Sequence, residues 1–325
     1  MRIGTLSVFM SYALNIMDPL QAIIETISAV IAVQVNIERF NKLMNTKSDV
    51  TDTPEVIAKY GDTFEPKTEN WEPLYGDIEF RDVSFRYPDG DDMVLEHFNL
   101  KVPQGTNVAI VGETGAGKST LVNLVCRFYE PTSGQVLIDG RDARERSQLW
   151  LHSNIGYVLQ TPHLFSGSVR DNLRYGNPMA SDEEIWHALD LVDARQVVEK
   201  MDKGLDSEVG EGGDLLSTGE KQLISFARAL LADPRILVLD EATSSIDTET
   251  EQKIQSAIAT VIKGRTSFMV AHRLSTIVHA DVILVVRDGK IIERGTHKQL
   301  MAQKGYYYQL YTRQFTDLEV NEALN

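Results

Sequence analysis

The sequence predicts an α/β fold with a mainly parallel sheet at its core, preceded by one long apolar helix. Three observations carry that expectation. Short apolar runs (NVAIVG, IGYVLQ, RILVLD, TSFMVA and DVILVV) alternate with helical stretches such as Gly219–Ala232 and Thr248–Val261. Strands alternating with helices imply parallel pairing with both sheet faces covered. A glycine-rich loop, Gly112–Ser119, joins NVAIVG to the helical run KSTLVNLVCRF, and from Ile3 to Ile24 the only charged residue is Asp18.

The chain has 325 residues, 42% hydrophobic and 24% charged. That suffices for one large domain with an appendage, or for two small domains. The formal charge of −15 repels phosphate backbones, which argues against nucleic acid as a partner and leaves room for a local basic pocket. The single cysteine, Cys126, excludes an internal disulfide and fits a reducing compartment for the globular part. Within LVNLVCRF it reads as a small core residue.

The N-terminal run is long enough to span a bilayer, since about twenty helical residues cross the ~30 Å hydrocarbon core. Lys and Arg are absent from Ile3 to Glu38 and then appear as Arg39, Lys42 and Lys47, which places the C-terminal end of the helix in the cytoplasm. Asp18-Pro19 and Glu25 suit a helix packed among others or lining a polar cavity. A buried helix of a soluble protein and a cleaved signal peptide are the rival readings. The second lacks a basic leading region and a small-residue cleavage site. Residues 1–44 therefore form a transmembrane helix with a cytoplasmic extension. Residues 45–75, polar and dotted with Pro, Thr, Asp and Glu, read as a linker, and the globular domain spans 76–325. There GDIEFRDVSFRY alternates as a strand does, and the Asp-Gly steps of IDGRD and RDGKIIERG mark hairpins.

Gly112-Glu113-Thr114-Gly115-Ala116-Gly117-Lys118-Ser119 fits G-x-x-x-x-G-K-[ST]. The glycines let successive N–H groups face one centre, and the following helix adds its N-terminal partial charge. Lys118 would reach the β- and γ-phosphates of ATP, and the Ser119 hydroxyl would ligate Mg²⁺. The strand ILVL ends in Asp240-Glu241. Beside the loop, Asp240 would hold Mg²⁺ and Glu241 would polarise the attacking water.

From Gly76 to Phe315 the chain resembles the ATP-binding cassette (ABC) family of P-loop ATPases. That resemblance implies a mainly parallel core sheet, an antiparallel β subdomain and a helical subdomain. Tyr87, in SFRYP, matches the aromatic that stacks on adenine, and Thr120 closes the phosphate loop. Gln160, after IGYVL, matches the glutamine that touches Mg²⁺ or the lytic water. Ser217-Thr218-Gly219-Glu220 occupies the place of the signature Ser-Gly-Gly-Gln, whose Ser217 and Gly219 would serve the nucleotide of a partner in a head-to-tail dimer. Ser245-Ile246-Asp247 matches the loop along that interface, and His272 matches the histidine that bonds the γ-phosphate.

Three segments are similar to exporter-type half-transporters: SVFMSYALNIMDPLQAI…NIERF as a last membrane helix, Glu208–Gly213 as the loop that contacts the membrane domain, and LFSGSVRDNLRYG after Gln160. The resemblance implies ATP hydrolysis powering export across the cell membrane, with the nucleotide-binding domain in the cytoplasm. One helix cannot enclose a pathway, so the chain is expected to be the C-terminal part of a longer multi-pass transporter. Thr218 and Glu220 depart from the signature, adding a β-branched side chain and a negative charge near a phosphate site. That implies a heterodimer with unequal ATP sites, with an equal-sited homodimer as the alternative. A soluble ABC ATPase and a non-catalytic cassette stand against residues 1–40 and against Glu241 and His272, respectively. The transported substrate is left open.

Overall fold

The computed structural model describes residues 3–240, 248–270 and 277–313, in two units, Met1–Asp49 and Val50–Asn325. In the first, α1 (Ile3–Asn45) is one 43-residue helix carrying Pro19 inside it. It is long and apolar enough to cross a membrane, and none of its apolar window is buried. At 1.5 Å per residue it measures about 65 Å, twice the hydrocarbon thickness. Two of its hydroxyls are satisfied within the helix: Thr26 donates to Ala22 O at 2.7 Å and Ser28 to Ile24 O at 2.8 Å, the arrangement that lets polar side chains sit in lipid.

Among the described residues, the second unit holds two sheets. The six-stranded sheet comprises β3 (Asn107–Val111), β6 (Ile155–Val158), β7 (Ile236–Asp240), β8 (Thr266–Val270), β9 (Val282–Arg287) and β10 (Lys290–Gly295), in the order β10-β9-β3-β8-β7-β6. All neighbours pair in parallel except β9 and β10, a hairpin. Alternate residues feed two cores. Leu237, Leu239 and Met269 pack with the helical side, which includes α5 (Val169–Arg174), α6 (Asp182–Leu191), α8 (Thr218–Ala232) and α9 (Thr248–Ile262). Ile236, Val238 and Phe268 face α3 (Lys118–Val125), α4 (Gln148–Ser153) and the second sheet. Burial on both faces is why these strands read as unbroken apolar runs.

The second sheet is antiparallel, in the order β2-β1-β4-β5, with β1 (Ile78–Phe85), β2 (Leu95–Val102), β4 (Ser133–Ile138) and β5 (Arg141–Asp142). Both Asp-Gly steps are tight hairpin turns with positive φ at Asp139 (48°), Gly140 (75°), Asp288 (48°) and Gly289 (69°), as type I′ geometry requires. β2 is absent from the sequence reading. Its inward positions are Leu95, Phe98, Leu100 and Val102, and a bulge at His97, φ 48°, breaks the alternation that marks a strand.

The expected linker differs most. From Val50 on it belongs to the second unit. Thr53 caps α2 (Pro54–Tyr60), and Val56 and Tyr60 are buried. The Asp52 carboxylate pairs with the Arg127 guanidinium at 2.8 Å and accepts from Gln148 N at 3.0 Å. Glu72 pairs with Arg141 at 2.9 Å, and its carbonyl accepts Trp150 Nε1 at 2.7 Å. Charges that look solvated in the sequence are here paired with residues roughly seventy positions onward.

Candidate functional site

The phosphate loop leaves β3 at Val111. A Cβ on Gly112 would come within 2.1 Å of Val286 O, so only glycine fits there. Gly117 (φ 98°) starts α3 without any side-chain cap, and the N-terminal amides of that helix, with their partial positive charge, suit an anion. Glu113, Thr114, Gly115 and Ser119 are exposed, while Ala116, Gly117, Lys118 and Thr120 are buried. The Lys118 ammonium donates to Gly112 O and Glu113 O, both at 2.8 Å. Burial pulls its pKa below the ordinary lysine value, and the Asp240 carboxylate opposes that shift. The loop thus combines turned amides, an uncapped helix start and a cation held in reserve, a donor set that fits a polyphosphate.

Asp240 ends β7 opposite Val270, which in turn lies opposite Ile110 of β3. Two strand spacings of about 4.8 Å therefore separate its row from the base of the loop. β6 lies beyond β7, with Val158 level with Leu239, and Gln160 follows it by two residues at an exposed bend. The carboxyl edge of one parallel sheet thus carries the loop, Asp240 and Gln160, where ligands gather in such sheets. Glu241, Ser245, Ile246, Asp247 and His272 lie outside the described residues.

Tyr87 is tied to the same helix. Its hydroxyl and Thr120 Oγ1 are 3.0 Å apart, and its ring meets Tyr129 edge-on at 5.0 Å and Phe85 at 4.9 Å. Tyr129 is a site-supporting residue the sequence reading missed. The signal was present in RFYEP, an aromatic just past the helix that starts at Lys118.

The Ser217 turn lies apart from the loop, at the start of α8, which packs against α5, α6, α9 and β6. Glu220 Oε2 accepts from Ser217 N at 2.9 Å and from its hydroxyl at 2.8 Å, and Ser217 Oγ accepts from Glu220 N at 3.3 Å. The unusual Glu220 thus completes a capping box at a helix N-terminus, where a carboxylate is favoured. Thr218 is exposed and Gly219 is buried. The two exporter-like loops are bonded to each other: Val169 N donates to Ser207 O and Val209 N to Gly167 O, both at 3.0 Å.

Comparison with known proteins agrees with this geometry. The family described as "ABC transporter" matches residues 95–244. The chain is 42% identical over 313 residues to the "Uncharacterized ABC transporter ATP-binding protein YfiC" of Bacillus subtilis (strain 168), covering 96% of this chain and 50% of that protein. It is 48% identical over 241 residues to the "ATP-dependent lipid A-core flippase" of Escherichia coli (strain K12), covering 74% of this chain and 41% of the flippase. A solved structure, "Structure of a bacterial Atm1-family ABC exporter with ATP bound", superposes with a TM-score of 0.75 at 36% identity, covering 86% of this chain and 47% of that one. The chain spans about half the length of the curated relatives it matches. A phosphate loop at the carboxyl edge of a parallel sheet, an antiparallel sheet beside it, a helical side that starts from a serine turn, and these relatives together lead to one conclusion: the chain belongs to the ABC transporter family.

Proposed function

We propose that this domain binds MgATP at the 112–120 loop and hydrolyses it to power export by a membrane transporter of which the chain forms part. The observation that carries the reading is the convergence at one sheet edge of the buried Lys118, the turned glycine loop and the Asp240 carboxylate. Lys118 leaves its loop carbonyls for the γ-phosphate, Tyr87 stacks on adenine, and Glu241 orients the attacking water with Gln160 and His272 beside it. Ser119, Asp240 and Gln160 would hold Mg²⁺, and the ion would supply positive charge to the phosphate oxygens. Two such domains, head to tail, complete each site with the other's Ser217 and Gly219.

The two sites of that dimer are unequal, with a homologous but different half-transporter as the partner. Support comes from the Ser217 turn: its hydroxyl proton is held by the Glu220 carboxylate, which leaves a negative charge where a γ-phosphate would arrive. Turnover then comes from the site built on this chain's loop. Glu241→Gln, measured by phosphate release with the co-expressed partner, is expected to remove nearly all activity, because it blocks the water step and keeps the shape. Loss of only half would mean two equal sites. Unchanged turnover would remove Glu241 from the chemistry.

A further inference from the structure

Three contacts join the C-terminal part of the domain to the phosphate loop. Val286 O fills the space beside Gly112, Gly289 N donates to Ala116 O at 3.2 Å, and the Tyr306 hydroxyl donates to Glu113 Oε1 at 2.7 Å. Tyr306 opens the helical stretch 306–313 and is held firmly at its base. Its amide and that of Tyr307 donate to the two carboxylate oxygens of Glu293, the second at 2.9 Å. The neighbouring Tyr307 is fully buried and bonded to His297 Nδ1 at 2.8 Å. The Arg287 guanidinium lies 5.5 Å over the Tyr306 ring. Glu113 in turn uses its carbonyl to accept the Lys118 ammonium at 2.8 Å and Ala116 N at 3.2 Å. A phenol fixed at one end and bonded to a carboxylate at the other makes a short, charge-assisted link, and that link leads directly to the residue on which Lys118 rests.

We propose that Tyr306 is a positioning residue for nucleotide binding: through Glu113 it holds the first turn of the phosphate loop in its cradle shape before ATP arrives. Preorganisation of this kind lowers the ordering cost of binding. The inference rests on the phosphate-loop reading above.

The test is the affinity of the full chain for trinitrophenyl-ATP with Mg²⁺, followed by fluorescence for Lys118→Ala, Tyr306→Phe, Glu113→Ala and the Tyr306→Phe/Glu113→Ala double variant. Tyr306→Phe is expected to weaken binding about 3- to 10-fold, as loss of one ordinary, solvent-exposed hydrogen bond does. Glu113→Ala should do the same, and the double variant should be no worse than the weaker-binding single, since both remove one bond. KM for ATP should rise by that factor while kcat changes less. A merely structural tyrosine would lower the nucleotide-free melting temperature and leave the affinity untouched. Wild-type affinity in Tyr306→Phe, or two factors that multiply, overturns the brace. Lys118→Ala separates the two readings: if it loses binding while Tyr306→Phe does not, only the brace fails. If Lys118→Ala binds normally, the phosphate-loop reading fails and the brace with it.

Discussion

At Gly112 the loop runs against the backbone of β9 so closely that a methyl group has no room: its carbon would stand 2.1 Å from Val286 O. The neighbour is a strand carbonyl of β9, paired between β10 and β3, and cannot turn aside as a flexible side chain would. Gly112→Ala is therefore expected to displace the loop and weaken ATP affinity by at least about tenfold, roughly 1.4 kcal/mol, with the melting temperature lowered as well; isothermal titration checks the first and calorimetry the second. Wild-type affinity would mean that the loop tolerates the displacement and that Gly112 is not essential to its shape. Glu220 has a second role beyond its charge. As a sequence departure it reads only as an added charge, yet its carboxylate also caps α8.

Among the elements, α2 and the segments around it matter more than their length suggests. Arg127 is 2% exposed and sits at positive φ, 53°. Its guanidinium is neutralised by Asp52 at 2.8 Å and Glu130 at 3.0 Å. Removing one partner of a buried pair strands the other charge, at about 3–5 kcal/mol; here Glu130 remains, which argues for the lower end. Asp52→Ala should thus lower the melting temperature by several degrees and free the segment before Trp71 to proteolysis, both measurable on the purified chain. An unchanged melting temperature would reduce the pair to a surface contact. Ser168, Ser181, Ser217 and Thr296 each stand three residues before the acid or amide that completes a capping box, a purely local pattern. β2 was hidden because its bulge at His97 shifts the inward face by one position.

For the molecule as a whole, α1 and the charge decide where the chain resides. The helix exposes Phe9, Tyr12, Leu14 and Ile24 among many others, a patch far larger than soluble proteins leave in water. The full chain is expected to remain with the membrane pellet after an alkaline carbonate wash and to be released only by detergent. Recovery in the salt-washed soluble fraction would favour a soluble ABC ATPase instead. The −15 charge suits a cytoplasmic domain that stays clear of anionic surfaces.

The sequence alone determined the class of the fold and pointed to a phosphate-binding loop. A glycine pattern, a lysine and a strand ending in acid are local facts, and both-face burial writes itself into the strands as continuous apolar runs such as ILVL. Only the tertiary structure decided that residues 50–75 pack onto the domain, that Tyr129 steadies Tyr87, and that Tyr306 reaches Glu113 across 193 positions. Each of these joins residues distant in the chain, through side chains that look solvated or merely aromatic when read in order. What brings them together is the folding of the strands and helices between them, which no local pattern encodes.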